Sequence, residues 1–305
     1  MQTRILPLLA GVVLFAACED SGKDGMLTTD LGTRYSYVSS NDDGQLATPG
    51  DYVYFQAQVK NEGDSVLIDT RDNPNDKPVI QALSDSLINE ETSPVQDVVS
   101  KMRVGERAVI RADISQFPPQ AKPPGMQNDS VMLYDIEVTE IVGQDEFMQR
   151  QEAMRAEAEA AMEEVRAREP EIRAFTEEVY NDYKAGRLDG ELQEAEGGLR
   201  YIIHEEGDGP QAEAGRGVVV QYLGRLTSNG EIFDQSFERG QGIPFQLGAG
   251  RVIPGWDEGI ALLKQGDHAT LIIPSELAYG AQGAGSGSIP PDSELMFYVE
   301  LEEVQ

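Results

Sequence analysis

The stretch that decides the fold is "VIPGWDEGIALLKQGDHATLIIPSELAYG", residues 252–280, which contains Trp256, the only tryptophan in 305 residues. Residues 254–263 are predicted to form one short helix, because Pro254 is well suited to a first helical position. Trp256, Ile260 and Leu263 would share the inner face of that helix. A short helix laid across a curved antiparallel sheet and entered at Trp256 would make the indole the floor of a shallow apolar cup.

Strand patterns surround this helix. The run "GVVVQYLGRL", residues 217–226, precedes the hairpin signal Asn229-Gly230, and "IFDQSF" follows it. Near the end of the chain four apolar residues alternate with their neighbours, which predicts a half-buried strand. These four are Leu295, Phe297, Val299 and Leu301. The last block therefore predicts a curved sheet around the helix.

These motifs stand in the order that they have in the FKBP-type peptidyl-prolyl cis/trans isomerases, and the segment from about residue 198 to 305 resembles that family. The resemblance implies an isomerase that needs neither a cofactor nor a metal. The catalytic residues that it implies are Tyr222, Phe233, Asp234, Ile253, Trp256 and Tyr279. The substrate-binding residues that it implies are Ile243, Val252, Ile289 and Phe297.

Two features depart from the family pattern. Ile243 stands where the family usually has an aromatic pocket wall, and the loop "GAQGAGSGSIPP" is rich in glycine and slightly long. We expect these changes to alter affinity and substrate choice more than the basic activity. Proline-containing polypeptides are the implied substrates, and macrolides of the FK506 type are implied ligands.

Isomerisation requires no covalent chemistry. Rotation about a peptide bond has a barrier of ~18–20 kcal/mol, because the C–N bond has partial double-bond character. An apolar cavity favours the less polar, twisted amide. By resemblance, the N–H of Ile253 would hold a substrate carbonyl, Tyr279 would donate a hydrogen bond, and Asp234 would face the amide or orient Tyr222.

The N-terminal segment "MQTRILPLLAGVVLFAAC" resembles a bacterial lipoprotein signal, with residues 1–17 removed and Cys18 lipidated. Phe15 departs from the motif, which usually has leucine there. The alternative is an ordinary cleaved signal with an incidental cysteine. Residues 18–29 would form a flexible tether. The resemblance implies a lipid anchor in the bacterial envelope, with the outer membrane favoured and the membrane face left open.

A helical block is predicted over residues 144–190, with an interruption at Pro170. Its apolar stripes indicate either a spacer that packs on a neighbouring domain or an arm that forms a homodimer. The first stripe is Phe147, Met154, Ala158, Ala161 and Val165. The second stripe is Ile172, Phe175, Val179 and Tyr183.

The block over residues 30–143 repeats the pattern of the last domain, residues 191–305, and predicts an internal duplication. "DSVMLYDIEVTEI" matches "DSELMFYVELEEV", and a shift of 165 positions places Asp69 on Asp234. Ala57, Ile68 and Val95 would replace Tyr222, Phe233 and Trp256. We therefore expect a degenerate, non-catalytic FKBP-like domain that is either structural or binds extended chains.

Composition narrows the classes of function. The 24 Lys and Arg against 54 Asp and Glu give a net charge of −30, which disfavours nucleic acid as a partner. Only two histidines and one cysteine are present, too few for a zinc set of the usual kind. The sequence predicts an α+β protein of two FKBP-like domains joined by a helical segment. Its expected function is prolyl isomerisation during folding of exported proteins, and the alternative is a non-catalytic chaperone or scaffold.

Overall fold

The computed structural model describes residues 25–72, 77–89 and 91–305. The chain divides into two compact units, Met1–Glu152 and Ala153–Gln305. The predicted signal, Cys18 and the start of the tether lie outside the described residues. Within the described ranges, no helix has the length and apolar character needed to cross a membrane.

The first unit contains one sheet and a short helix. Its helix α1 is Pro94–Val99. Its strands are β1 Leu27–Thr28, β2 Arg34–Ser39, β3 Tyr52–Lys60, β4 Val66–Asp69, β5 Val79–Gln81, β6 Arg107–Asp113 and β7 Val131–Val142. They are ordered β1-β2-β6-β7-β3-β4, with β5 also paired to β3. Helix α2, Gln144–Lys184, starts in this unit and continues into the second.

The second unit has the same plan. Its helix α3 is Pro254–Ile260. Its strands are β8 Gln193–Glu194, β9 Arg200–Glu205, β10 Gly217–Leu226, β11 Ile232–Gln235, β12 Ile243–Gln246, β13 His268–Ile273 and β14 Leu295–Val304. They are ordered β11-β10-β14-β13-β9-β8, with β12 also paired to β10.

Read from β4 and from β11, the two sheets have identical strand orders, and all of their pairs are antiparallel. The third strand of each also carries a register shift at the same place, between Tyr54 and Phe55 and between Val219 and Val220. This agreement confirms the predicted duplication and the predicted α+β class.

One part of the predicted alignment is wrong by a residue. Gln58 of β3 pairs with Asp69, whereas its counterpart Leu223 of β10 pairs with Gln235. The hydroxyl of Thr70 accepts the Ala57 N–H at 2.8 Å, as Ser236 accepts the Tyr222 N–H at 2.7 Å. Counted between paired residues, the hairpin of β3 and β4 is one residue shorter than the hairpin of β10 and β11. Strands β4 and β11 therefore align with a shift of 166 positions and not 165.

Consequently Leu67 and Ile68, and not Ile68 and Asp69, occupy the positions of Phe233 and Asp234. Asp69 instead pairs with Arg71 at 2.9 Å and accepts a hydrogen bond from Gln58. The first unit has therefore lost the aspartate as well as the aromatic residues.

Helix α2 runs through Pro170 without the predicted interruption. Proline inside a helix removes one intrahelical hydrogen bond, and its ring crowds the carbonyl of the preceding turn. The turns that follow bury Ile172, Thr176 and Val179 against the sheet of the second unit, and this packing offsets the loss. The second predicted stripe is thus an intrachain packing surface. Of the first stripe, Val165 also packs against this cluster, whereas Met154 is 63% exposed and does not.

The same packing corrects the prediction for β14. Leu295, Phe297 and Val299 face the core as expected, but Met296 and Tyr298 on the other side of the strand are also buried. Tyr298 packs with Ile172 and Phe237, and Met296 packs with Val179. Strand β14 is therefore buried on both faces, because α2 covers the outer face of the sheet.

Candidate active site

The floor of the candidate site is Trp256, in the first turn of α3. Pro254 occupies the first turn, and Ile253 caps the helix in an extended conformation with φ −62° and ψ 148°. Gly255 allows α3 to lie directly on β13, since a Cβ there would stand 2.4 Å from a methyl group of Ile273. The helix ends at Ile260, three residues earlier than predicted.

Three further aromatic rings form the inner wall above this floor. The ring of Trp256 meets Tyr222 at 5.1 Å and Phe297 at 5.3 Å, both edge to face. Phe233 meets Phe297 at 5.4 Å in the same manner. Edge-to-face pairs at such distances are favourable, so the walls support one another.

Gly224 makes room for two of these rings. It lies on β10 beside Phe233 and Phe297, and a Cβ at this position would approach the two rings within 2.6 and 2.8 Å. Any side chain at Gly224 would displace them. This glycine is part of the site although it lines no cavity, and its role could not be seen from the strand pattern alone.

A polar group closes one side. The hydroxyl of Tyr222 donates to Asp234, and Arg239 donates to Asp234 at 2.9 Å and to the Tyr222 hydroxyl at 2.7 Å. Burial, followed by the hydrogen bond to Asp234, raises the pKa of Tyr222 to about 12. The phenol is therefore neutral over the physiological range and holds Asp234 in place. Sequence reasoning missed Arg239.

Two predicted donors at the edge of the cavity are unoccupied, in addition to the buried Nε1–H of Trp256, which has no partner among the described residues either. The backbone N–H of Ile253 and the hydroxyl of Tyr279 donate to no acceptor within the described part of the chain. The side chain of Tyr279 is 40% exposed, although partial burial raises its pKa. A neutral phenol and a free N–H at the edge of an apolar cup can bind the carbonyl oxygens of a peptide.

The structure brings nine of the ten predicted residues around one cavity of about 180 Å³. This is the liquid volume of about six water molecules, enough for a proline ring. Its lining consists of Tyr222, Phe233, Asp234, Ile243, Arg251, Val252, Ile253, Trp256, Tyr279 and Phe297. Ile289 does not line it and is packed in the core at 6% exposure. Arg251 lines it and was not predicted.

A second cavity of about 380 Å³ lies on the outer face of this sheet, beside α2. It contains both histidines, and the Nε2 atom of His204 lies 2.8 Å from the hydroxyl of Thr270. Its walls also carry Arg168, Glu171 and Glu205. Among the described residues, no group of three or more His, Cys, Asp or Glu side chains is arranged to hold a metal ion.

Comparison with known proteins agrees with this geometry. The family model for FKBP-type peptidyl-prolyl cis-trans isomerases matches residues 209–302. The chain is 52% identical to the "FK506-binding protein" of Streptomyces anulatus over 99 residues, which are 32% of this chain and 80% of that protein.

A second curated relative gives the same family. The chain is 48% identical to the "FK506-binding protein" of Neisseria meningitidis serogroup B over 108 residues, covering 35% of this chain and 97% of that one. The crystal structure of FkpA from Escherichia coli aligns with 54% of this chain and 74% of its own, at 35% identity and a TM-score of 0.37.

The apolar walls and the free donors at the edge fit rotation about a peptide bond, which requires no covalent step. The chain belongs to the FKBP-type peptidyl-prolyl cis-trans isomerases. The resemblance inferred from the motifs of residues 198–305 is confirmed.

Proposed function

We propose that this isomerase is anchored by a lipid on Cys18 in the bacterial envelope, where it assists the folding of exported proteins. The aromatic cavity with its two free donors supports the catalytic part of this proposal. The signal-like segment that ends at Cys18 supports the location. Proline-containing segments of unfolded exported chains are the proposed substrates.

The proposed mechanism assigns a role to each side of the cavity. Trp256, Phe233 and Phe297 enclose the proline ring in an apolar environment that favours the twisted, less polar amide. The Ile253 N–H and the Tyr279 hydroxyl fix the flanking carbonyls. Stabilising the twisted state more than either planar state is what accelerates the rotation.

A peptide assay tests the catalytic part. Soluble protein of residues 19–305 should accelerate isomerisation of a Leu-Pro tetrapeptide in a protease-coupled assay. It should also accelerate the proline-limited refolding of an unfolded protein. Activity on the tetrapeptide without any effect on refolding would restrict the proposal to short peptides.

Fractionation tests the location. The Cys18→Ser protein should move from the membrane fraction to the soluble fraction of a bacterial envelope. An unchanged distribution would contradict the lipid anchor and leave the isomerase assignment intact.

We also propose that macrolides of the FK506 type enter the same cavity, since relatives are named for binding FK506. Ile243, half-buried on β12, offers less apolar surface than an aromatic wall. Because Trp256 is the only tryptophan, its fluorescence should report macrolide binding directly. A titration with no spectral change and no inhibition would contradict this proposal.

Homodimer formation through the helical segment stays a prediction. Met154, Ala158 and Ala161 lie on an exposed part of α2 and contribute to no buried cluster of their own unit. Sedimentation of the soluble protein would decide between a monomer and a dimer. Met154→Lys should dissociate a dimer that uses this stripe.

Strand β4 of the first unit supports a second function, the binding of extended chains. Its consecutive residues Val66, Leu67 and Ile68 are 48%, 37% and 58% exposed, and within the described part of the chain the strand pairs only with β3. Open edges are normally protected by charge. A chain with 54 acidic residues places none at 65–68, so this edge can add an apolar, extended segment as a further strand.

A matched pair of variants tests this binding function. Ile68→Lys should slow the assisted refolding of an unfolded protein several-fold and leave tetrapeptide isomerisation unchanged. Val38→Lys, on a residue that is 56% exposed on β2, is the control and should change neither. Equal refolding with both variants would assign the first unit a structural role only.

A further inference from the structure

The mouth of the cavity is formed by its exposed lining residues Asp234, Arg251 and Tyr279. Arg251 is the cation at this mouth. Arg251 stands two residues before Ile253, whose N–H is free to bind a substrate carbonyl. No carboxylate of the described residues lies within ion-pair distance of its guanidinium, and no described acceptor binds it. Its charge is therefore available to a bound peptide.

The neighbouring charges are already paired. Arg239, the other guanidinium close to the cavity, is bound by Asp234 and by the Tyr222 hydroxyl. Asp257, the acidic residue at the start of α3, accepts hydrogen bonds from the N–H groups of Gly248 and Gly250 at 2.8 and 3.2 Å. Because Asp234 is already paired with Arg239, it does not neutralise Arg251, and the positive charge of Arg251 stays unpaired at the mouth.

This local charge opposes the charge of the whole chain, which is −30. At about 0.15 M salt the Debye length is ~8 Å, so distant carboxylates are largely screened while a charge in contact with the peptide is not. Arginine stays protonated at every physiological pH. The mouth therefore offers a carboxylate a favourable position on a surface that otherwise repels it.

We infer that Arg251 is a specificity-determining residue, which selects proline-containing segments that carry an aspartate or glutamate beside the proline. The guanidinium binds the carboxylate while Ile253 and Tyr279 bind the backbone. The effect is that of a partly exposed ion pair, about 2- to 5-fold in kcat/KM.

The test compares peptides that differ by one charge. One series of peptides carries Glu, Gln or Lys directly before the proline. A second series carries the same three residues directly after it. In the soluble protein, kcat/KM for the Glu peptide of at least one series should exceed that for the Gln peptide by about 2- to 5-fold. Arg251→Gln should reduce this ratio to near one, and Arg251→Glu should favour the Lys peptide. Raising the salt to 1 M should also reduce the ratio.

Arg155→Gln is the matched control, because Arg155 is an exposed arginine on α2 with no partner among the described residues. It should leave the ratio unchanged. Peptide affinities from Trp256 fluorescence give a second measurement that does not depend on turnover. A ratio near one in both series, or a ratio that survives in Arg251→Gln, would overturn the inference, while activity on the Gln peptides separately tests the isomerase mechanism.

Discussion

At the scale of single residues, Trp256 belongs to the floor of the cavity and to the core at the same time. Only 3% of its surface is exposed, although its ring lines an open cavity. It contacts the rings of Tyr222, Phe245 and Phe297. Its removal must therefore affect both catalysis and stability.

We predict that Trp256→Ala lowers the free energy of unfolding by about 3–5 kcal/mol, as expected for a buried aromatic residue. It should also lower kcat/KM on tetrapeptides at least about tenfold, which is ~1.4 kcal/mol of transition-state stabilisation. Urea unfolding and the protease-coupled assay measure the two effects.

Phe245→Ala is the control, since Phe245 packs on Trp256 at 5.8 Å without lining the cavity. It should reduce stability while retaining most of the activity of the folded protein. Tetrapeptide activity of Trp256→Ala within error of the wild type would contradict the assignment of the floor.

At the scale of elements, the contact between α2 and the outer face of the sheet contains a buried arginine. Arg225 of β10 has 4% of its side chain exposed. It donates to the hydroxyl of Thr176 at 3.1 Å and to the carbonyls of Arg173 at 3.0 Å and Gly230 at 2.8 Å. It thereby fixes the helix to the strand that carries Tyr222, which lines the cavity.

We predict that Arg225→Met reduces the stability of the second unit by about 2–3 kcal/mol, because the acceptors on α2 lose a charged donor. Urea unfolding measures this. Arg187→Met is the control, since Arg187 is 61% exposed and pairs only at the surface. Its cost should be below about 1 kcal/mol. Equal urea midpoints for the two variants would contradict this role of Arg225.

The stability of this contact between α2 and the sheet depends on pH. Burial, followed by the charge of His268, lowers the pKa of His204 to about 4, and its ring meets Phe175 at 5.0 Å. The unfolded chain has a histidine pKa of about 6.5 and binds the proton first. The stability from neutral His204 is therefore complete above that pH and is lost as the pH falls towards 4.

We predict that the urea midpoint of the second unit falls between pH 7 and pH 5, and that His204→Gln flattens this fall. Solvent at the partly exposed ring limits the effect. Glu302, whose pKa is raised by burial, acts in the opposite direction and is present in both proteins. An identical pH dependence in the variant would contradict the role of His204.

At the scale of the whole molecule, the end of α2 forms part of the catalytic unit. Residues from Ala153 onward belong to that unit, whereas the sequence predicted a separate linker over residues 144–190. Helix α2 covers apolar residues on the outer face of the sheet. The residues covered are Leu223, Ile272, Met296 and Tyr298.

We predict that a fragment of residues 153–305 folds and carries the full tetrapeptide activity. A fragment of residues 191–305 exposes the outer face and should unfold at a lower urea concentration. Circular dichroism and the peptide assay measure both properties. Equal midpoints would show that the helix adds no stability to the sheet.

The first unit, tested as residues 25–143, should fold without peptide isomerase activity. Its sheet and core are complete, but Ala57, Leu67 and Ile68 stand at the positions of Tyr222, Phe233 and Asp234. Measurable activity in this fragment would contradict that alignment.

The sequence by itself determined the fold class, the duplication and nine of the ten residues around the cavity. These depend on local signals: strand alternation, the turn that introduces Trp256, and motifs whose order reflects one backbone plan. The family resemblance predicted the site residues because each motif is short and the residues within it keep a fixed spacing.

The tertiary structure alone decided what depends on contacts between distant segments. The pairing of Gln58 with Asp69 revealed the one-residue shift, since a hairpin length changes register without changing the apolar pattern. Pro170 remains within α2 because its far turns are buried against a sheet that begins after residue 190. Arg251 became a site residue through its place at the mouth, where three-dimensional neighbours, and not sequence spacing, leave its charge unpaired.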